Sequence, residues 1–364
     1  MNYNDIRRKT KKIQVGNTFI GGDAQISIQS MTNTDSHDVE ATYNQVMELE
    51  KAGADIVRLA LPDIASASTI AKLKERGISI PLVADIHFDY KIALAAADAG
   101  VDKIRINPGN IGAIENVRAV ANACKAKNIP IRIGVNSGSL EPHILKEYGS
   151  PTPEALAKSA LYHASLLERF DFDNIVISIK SSHVGEMKRA SEIVAESCEY
   201  PLHIGVTESG RGESGLIKSA AGIGSLLLSG IGDTIRISLT DDPTKEIYYA
   251  KKLLRALELT NEKHINIISC PTCGRTKIDL IKICEEIETR LPELGKPEKN
   301  LTVAVMGCAV NGPGEAREAD IGIAGGEHEA LLFSHGKIIR KIPENAIVDE
   351  LFIEIKKLIY KDEK

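Results

Sequence analysis

The sequence predicts an α/β chain: an N-terminal (β/α)8 TIM barrel followed by a smaller α+β domain. Three observations carry this. Between Gln25 and Leu239, eight short apolar, β-rich runs recur, most of them roughly 25–30 residues apart, the length of one strand, one helix and their loops. The intervals between them have helical periodicity, as in "TYNQVMELEKAG" and "ALAKSALYHASLLERF", and several end in Gly or Asn as helix C-termini do. After Leu239 the alternation gives way to a different pattern that contains a closely spaced cysteine pair. An open doubly wound sheet is the alternative, but it usually has fewer strands and often a Gly-rich first turn, which is not found here.

The elements follow in order. "KKIQVGNTFIGG" resembles a hairpin, expected to plug the bottom of the barrel. The strand candidates are "QISIQSM", "ADIVRLA", "ISIPLVADIH", "VDKIRIN", "IPIRIGVN", "NIVISIK", "PLHIGVTE" and "DTIRISL". Apolar strands alternating with helices imply parallel pairing. In "TDDPTKEIYYAKKLLRALELTN", Asp241 or Asp242 caps a helix with Pro243 at its first position. The domain boundary is expected near Glu262–Ile265, giving a barrel over 1–262 and a second domain over 263–364. Beyond it come the cysteine stretch, a helix, a strand, a Gly-rich loop, a strand, a hairpin and a terminal helix.

Composition excludes several classes. The net charge of −5, the absence of Trp and an aromatic content of 4% argue against a nucleic-acid face or a base-stacking platform. The basic start "MNYNDIRRKTKKIQVGN" lacks the apolar segment of a secretory signal, and runs such as "SLLLSGIG" are too short to span a bilayer. The expectation is a cytoplasmic protein with no membrane partner. Its six cysteines then stay reduced, which favours metal or catalytic roles over structural disulfides.

In a (β/α)8 barrel the active site lies where the strands end. Five cations fall at five different strand ends: Arg58, Arg105, Arg132, Lys180 and Arg236. Asn107, Asn136, Ser178, His203, Thr207 and Ser238 accompany them. Asp85 and Glu208 are the main acids there, too few to neutralise five cations. A dense positive cluster on a net acidic chain points to a polyanion, and the planar fork of Arg suits phosphate oxygens. A diphosphate or two phosphates would match the charge. No GxxxxGK[ST] is present, so a nucleotide is not implied. Asp85, His87 and Glu208 are the candidates for proton transfer; the competing role for each is an orienting hydrogen bond to an Arg.

Cys124, Cys198 and Cys284 lie in helical segments and read as core. Cys270, Cys273 and Cys308 remain, the last in "MGCAVNGPGEA". Three thiolates are one short of the usual four of a zinc or iron–sulfur site. A [4Fe-4S] cluster with one differentiated iron fits this set best. A structural zinc closed by His328 or His335, and a thioredoxin-like disulfide that leaves Cys308 unexplained, are the alternatives.

Taken together, "SCPTCGRT", "VAVMGCAVNGPGEAREADIGIAGG", "VRLA", "LVADIHF", "KIRINPGNIG", "IRIGVNSGSL", "SIKSS", "HIGVTESG" and "DTIRISLT" closely resemble the 4-hydroxy-3-methylbut-2-enyl diphosphate synthases. These are iron–sulfur enzymes of the non-mevalonate isoprenoid pathway. The likeness runs over nearly the whole chain and fits the compact two-domain bacterial form. It implies two-electron reductive ring opening and dehydroxylation of 2-C-methyl-D-erythritol 2,4-cyclodiphosphate, with reduced flavodoxin or ferredoxin as donor. It implies cluster ligation by Cys270, Cys273, Cys308 and Glu315. Diphosphate contacts fall on Arg58, Arg105, Arg132, Lys180 and Arg236, with Asn136 and Ser178 nearby, and acids near the reacting carbons on Asp85 and Glu208.

Chain geometry adds an expectation. The eighth helix starts at the barrel mouth and, with roughly 15 residues at about 1.5 Å each, returns to the bottom. The cluster domain then begins on the side away from the chain's own mouth. A head-to-tail homodimer follows, the cluster of one chain closing the barrel of the other. The rival functions are a phosphate-binding barrel lyase or hydrolase with a structural zinc, and a non-catalytic iron–sulfur scaffold that binds RNA or a protein.

Overall fold

Eight parallel strands close into a barrel over the first part of the chain. The computed structural model describes residues 6–309 and 316–360, and the chain divides into two units, Met1–Thr260 and Asn261–Lys364. In the first unit, β1 (Ile13–Val15) and β2 (Thr18–Ile20) form an antiparallel hairpin. The barrel strands are β3 (Ser27–Met31), β4 (Ile56–Ala60), β5 (Leu82–Asp85), β6 (Lys103–Ile106), β7 (Ile131–Asn136), β8 (Ile175–Lys180), β9 (His203–Ile204) and β10 (Thr234–Ile235). Neighbours in sequence pair in parallel from β3 to β8, β9 pairs with β10, and β10 returns to β3. A parallel bridge between Ile177 and Leu202 joins β8 to the start of β9 and completes the ring. The barrel expected from the strand and helix alternation is therefore present.

Nine helices connect the strands among the described residues: α1 (Val39–Ala52), α2 (Ala67–Glu75), α3 (Tyr90–Asp98), α4 (Ile114–Ala126), α5 (Pro142–Tyr148), α6 (Pro153–Glu168), α7 (Val184–Ser197), α8 (Gly212–Leu227) and α9 (Pro243–Ala256). Local chemistry sets their ends. Asp38 accepts the Ala41 amide at 2.9 Å to start α1, and Gly53 closes it at φ 93°. Of the two candidate caps for α9, Asp242 does the work, accepting the Thr244 amide at 2.8 Å beside Pro243. Helix α5 is an addition between β7 and α6. None of the helices among the described residues is long and apolar enough to cross a membrane.

The hydrophobic core lies outside the barrel wall. Val57, Leu59, Leu82, Ala84, Ile104, Ile106, Ile131 and Ile133 face the helices and are fully buried. Strand alternation then turns Arg58, Asp85, Lys103, Arg105 and Arg132 inward. A typical barrel fills that interior with branched apolar side chains; here only its bottom is apolar. There Ile13, Val15 and Ile20 of the hairpin pack on Ile56, Val83 and Val176, the first inward residues of their strands. The basic N-terminus has a structural use below the barrel. Arg7 pairs with Asp233 at 2.8 Å, and the Arg8 guanidinium binds the carbonyls of Ala195, Cys198 and Tyr200 at and beyond the end of α7.

The second unit holds a five-stranded sheet in chain order: β11 (Ile265–Ser269), β12 (Leu301–Met306), β13 (Ile321–Gly325), β14 (Glu329–Ser334) and β15 (Lys337–Pro343). The first three strands are parallel and the last two antiparallel. Helices α10 (Leu280–Arg290) and α11 (Ile347–Ile359) bury Ile283, Ile287, Leu351 and Ile355 against one face. Ala316 and Ala319 pack with Ala304, Met306 and Phe333 on the other.

The plug tests how far the barrel relies on its apolar bottom. Ile20 is fully buried in it, so Ile20→Ala is expected to cost about 2–5 kcal/mol in urea unfolding. A change below about 0.5 kcal/mol would show that the hairpin does not seal the barrel.

Candidate active site

Register and alternation assemble the site. Asp85, Arg105 and Arg132 are successive register partners across β5, β6 and β7, so their side chains stand in one inward row. Arg58 pairs in register with Met31, and Asn136 with Lys180. Arg236 follows β10. Side chains expected only at strand ends thus span several levels: Arg132 is the second residue of its strand and fully buried, whereas Lys180 ends its strand and is half-buried. His203 corrects the strand-end expectation. It is the first residue of β9, deep in the barrel and in register with Thr234 and Ser27.

Few carboxylates meet these cations. Asp85 accepts from Arg105 Nη1 at 3.0 Å and lies 3.6 Å from Arg58 Nε. Burial alone would raise its pKa. The guanidiniums of Arg58, Arg105 and Arg132 outweigh that and hold the carboxyl well below its usual range. Asp85 is therefore a fixed anion that orients two arginines, which suits it poorly to donate a proton. Burial lowers Arg58 to about 10 despite Asp85, with Arg236 and Arg105 adding to the shift; it remains charged at neutral pH. Burial and the neighbouring guanidiniums of Arg58 and Arg105 push Arg132 down as well. Arg132 Nε and Nη1 and Ser178 Oγ are buried with no hydrogen-bond partner among the described residues. They are donors aimed into the barrel, as an anion would require.

The other two proton-transfer candidates lie at the rim. The His87 side chain is 51% exposed, with Nδ1 3.4 Å from Arg105 Nη1 and Nε2 3.8 Å from Asp85. Glu208 follows β9, is exposed, and has φ 51°. That left-handed backbone is uncommon for a glutamate and concentrates at functional positions.

Several residues were not singled out in the sequence. Glu246, in the first turn of α9, is 3% exposed and grips Arg236 with both oxygens at 3.2 Å, while also accepting from Ser30 Oγ and the Leu239 amide. Met31 offers its sulfur to the Arg58 guanidinium at 2.9 Å. Gly134 leaves the space in which the Arg105 guanidinium lies; a Cβ there would collide with it. Buried His163 pairs with Glu141 beside Gly109, tying together the loops after β6 and β7. An early-turn acid was the one readable hint of Glu246; the rest depend on contacts between distant strands.

In the second unit, Cys270 follows β11 and Cys308 lies just beyond β12, so both sit at the same end of adjacent parallel strands. The Gly307 amide donates to Cys270 Sγ at 3.2 Å. Cys273 is exposed, and the Arg275 backbone and side chain hold its thiol below its ordinary pKa. Cβ atoms at Gly307 and Gly325 would lie 2.9 Å from Thr276 and 2.6 Å from the Gly307 carbonyl, so the loops pack closely because these residues are glycines. Glu315 lies outside the described residues. Among those described, no set of three or more His, Cys, Asp and Glu side chains is gathered for a metal ion. The donor types still fit an iron–sulfur group: soft thiols from neighbouring loops, with a backbone N–H turned to sulfur.

Residues 10–251 match the GcpE TIM-barrel domain and residues 266–357 the GcpE protein C-terminal domain. A 4-hydroxy-3-methylbut-2-en-1-yl diphosphate synthase (flavodoxin) of Clostridium perfringens is 58% identical over 345 residues, covering 95% of this chain and 97% of the relative. The protein of the same name from Listeria monocytogenes is 54% identical over 355 residues, covering 98% and 95%. Among solved structures, a type I 3-dehydroquinate dehydratase of Clostridium difficile is 14% identical and has a TM-score of 0.50, covering 68% of this chain and 98% of that one, a likeness of fold alone.

Gly134→Ala tests the packing of the anion pocket. It should leave the circular dichroism spectrum unchanged while weakening inorganic pyrophosphate binding by about tenfold or more, a loss of roughly 1.4 kcal/mol. Unchanged affinity would mean that Arg105 does not need its place over Gly134.

Proposed function

The chain belongs to the GcpE family, and from that premise we propose how its two units divide the chemistry. The chain catalyses reductive ring opening of 2-C-methyl-D-erythritol 2,4-cyclodiphosphate to 4-hydroxy-3-methylbut-2-enyl diphosphate, as an iron–sulfur oxidoreductase. The cyclic diphosphate dianion, two electrons and one proton become the linear diphosphate trianion and water. The carrying observation is the charge imbalance inside the barrel. Arg58, Arg105, Arg132, Lys180 and Arg236 face a space in which Asp85 and Glu246 are their partners among the described residues.

In this reading the diphosphate lies on those five cations, with Asn136 and Ser178 hydrogen-bonding its remaining oxygens. Bidentate Arg contacts fix its orientation. Asp85 and Glu246 aim Arg58, Arg105 and Arg236 at it. Glu208 and His87, both at the rim, are left to serve the proton that converts the departing hydroxyl to water. Cys270, Cys273, Cys308 and Glu315 would hold a [4Fe-4S] cluster, which when bound supplies the electrons and a Lewis-acidic iron. Reduced flavodoxin, the donor in the relatives' names, refills it; ferredoxin is the alternative donor.

Helix α9 begins at the mouth, where Glu246 holds Arg236, and its 14 residues span about 21 Å. The chain thus leaves the barrel at the end away from the mouth. A head-to-tail homodimer, in which the partner's cysteine unit closes this barrel, satisfies that connectivity and gives two equivalent sites. Mixing Cys270→Ala with Arg132→Ala chains should restore activity through mixed dimers when neither variant is active alone. No restoration despite mixed-dimer formation contradicts the shared site. Purified anaerobically, the protein should be brown and contain iron and sulfide; a colourless, oxygen-tolerant protein with stoichiometric zinc would favour the phosphate-binding lyase or hydrolase.

A further inference from the structure

Below the anion-binding row lies a second polar layer that the reaction as described does not use. Lys103 is the first residue of β6 and faces inward one pleat beneath Arg105. It is fully buried, and its Nζ has no hydrogen-bond partner among the described residues. Across the barrel, His203 is 1% exposed. Its Nδ1 lies 3.4 Å from Thr234 Oγ1, and its Nε2 has no partner among the described residues. Ser27, in register with Thr234, and Gln29 above it also carry buried polar atoms without partners there.

We propose that Lys103 and His203 form a protonatable floor beneath the anion site, each gaining a proton when a polyphosphate-like anion occupies the cations above. The proposal rests on the diphosphate reading of the mouth. In the empty barrel an ammonium at Lys103 would be buried, unpaired and faced by the guanidiniums of Arg132 on β7 and Arg58 on β4, a combination that favours the neutral amine. Burial and those two guanidiniums lower Lys103 well below its ordinary value. Burial comes first for His203 too, followed by Arg132, Lys180, Lys103 and Arg58. An anion on Arg58, Arg105, Arg132, Lys180 and Arg236 reverses the sign of the field that these two groups feel. Protonation then adds positive charge and new donors under the phosphates.

The chemistry needs this more after turnover than before. Ring opening turns two ionised phosphate oxygens into three, so the product asks for more cation than the substrate. The incoming protons come from water.

Sulfate tests the proposal, because it has no proton of its own to exchange near neutral pH. The full-length protein is titrated with sulfate by calorimetry in two buffers of different ionisation enthalpy. The expected result is a net uptake of protons from the buffer, with sulfate affinity rising as pH falls. Lys103→Met and His203→Gln should each reduce the uptake. Since a buried variant can lose its fold, the wild-type protein with ¹³Cε-labelled lysine provides a second readout: one buried resonance should move from the amine to the ammonium position on adding sulfate. Binding without uptake and without that movement overturns the floor, as does undiminished uptake in both folded variants. Failure of both sulfate and inorganic pyrophosphate to bind overturns the anion site itself, and the floor with it.

Discussion

Uncompensated positive charge inside a barrel is the constraint on which the rest of this structure depends. Arg58, Arg105, Arg132, Lys180 and Arg236 occupy inward positions that most barrels give to branched apolar side chains. Unpaired buried charge is costly. The fold offsets it elsewhere, with an unbroken apolar layer between strands and helices, an apolar hairpin at the bottom and two carboxylates placed to orient rather than neutralise. In the proposed reading, the diphosphate completes the charge balance. On that reading, affinity for a diphosphate and the electrostatic cost of the empty barrel have one origin.

That constraint also sorts the acids. Asp85 lies so deep among guanidiniums that it stays ionised, and Glu246 is committed to Arg236. Glu208 and His87 are exposed at the rim, where a proton can be exchanged with solvent or substrate. The proposed division between orienting and proton-transferring groups thus follows depth in the barrel. In the second unit, Cys270 and Cys308 leave the same edge of two parallel strands, and close packing at glycines brings backbone N–H groups toward sulfur.

The barrel was legible because its signal is local. A strand buried on one face by helices reads as apolar at every second residue, and the charged residues between them announced the inward face. Depth was not legible. Register alone tells that Arg132 sits low and Lys180 high, or that His203 opens its strand instead of ending it. Partnerships across long stretches of chain were equally hidden: nothing near Arg236 in sequence announces that Met31 touches it, and nothing near Arg105 announces that Gly134 makes room for it. The residues "INIIS" before the cysteines form β11, a strand not expected from the sequence, whose pairing with β12 sets Cys270 beside the strand that leads to Cys308. Nothing in the basic N-terminal sequence announces that Arg7 and Arg8 fasten it under the barrel.

The most direct measurement of charge completion is the thermal unfolding of the barrel with and without inorganic pyrophosphate. A ligand at about 100 times its dissociation constant should add roughly 2.7 kcal/mol to stability, and that gain should shrink with added salt. A barrel built around an anion predicts a melting temperature that rises with pyrophosphate in the wild-type protein and fails to rise in Arg132→Met. An unchanged melting temperature, or an equal rise in Arg132→Met, would contradict it.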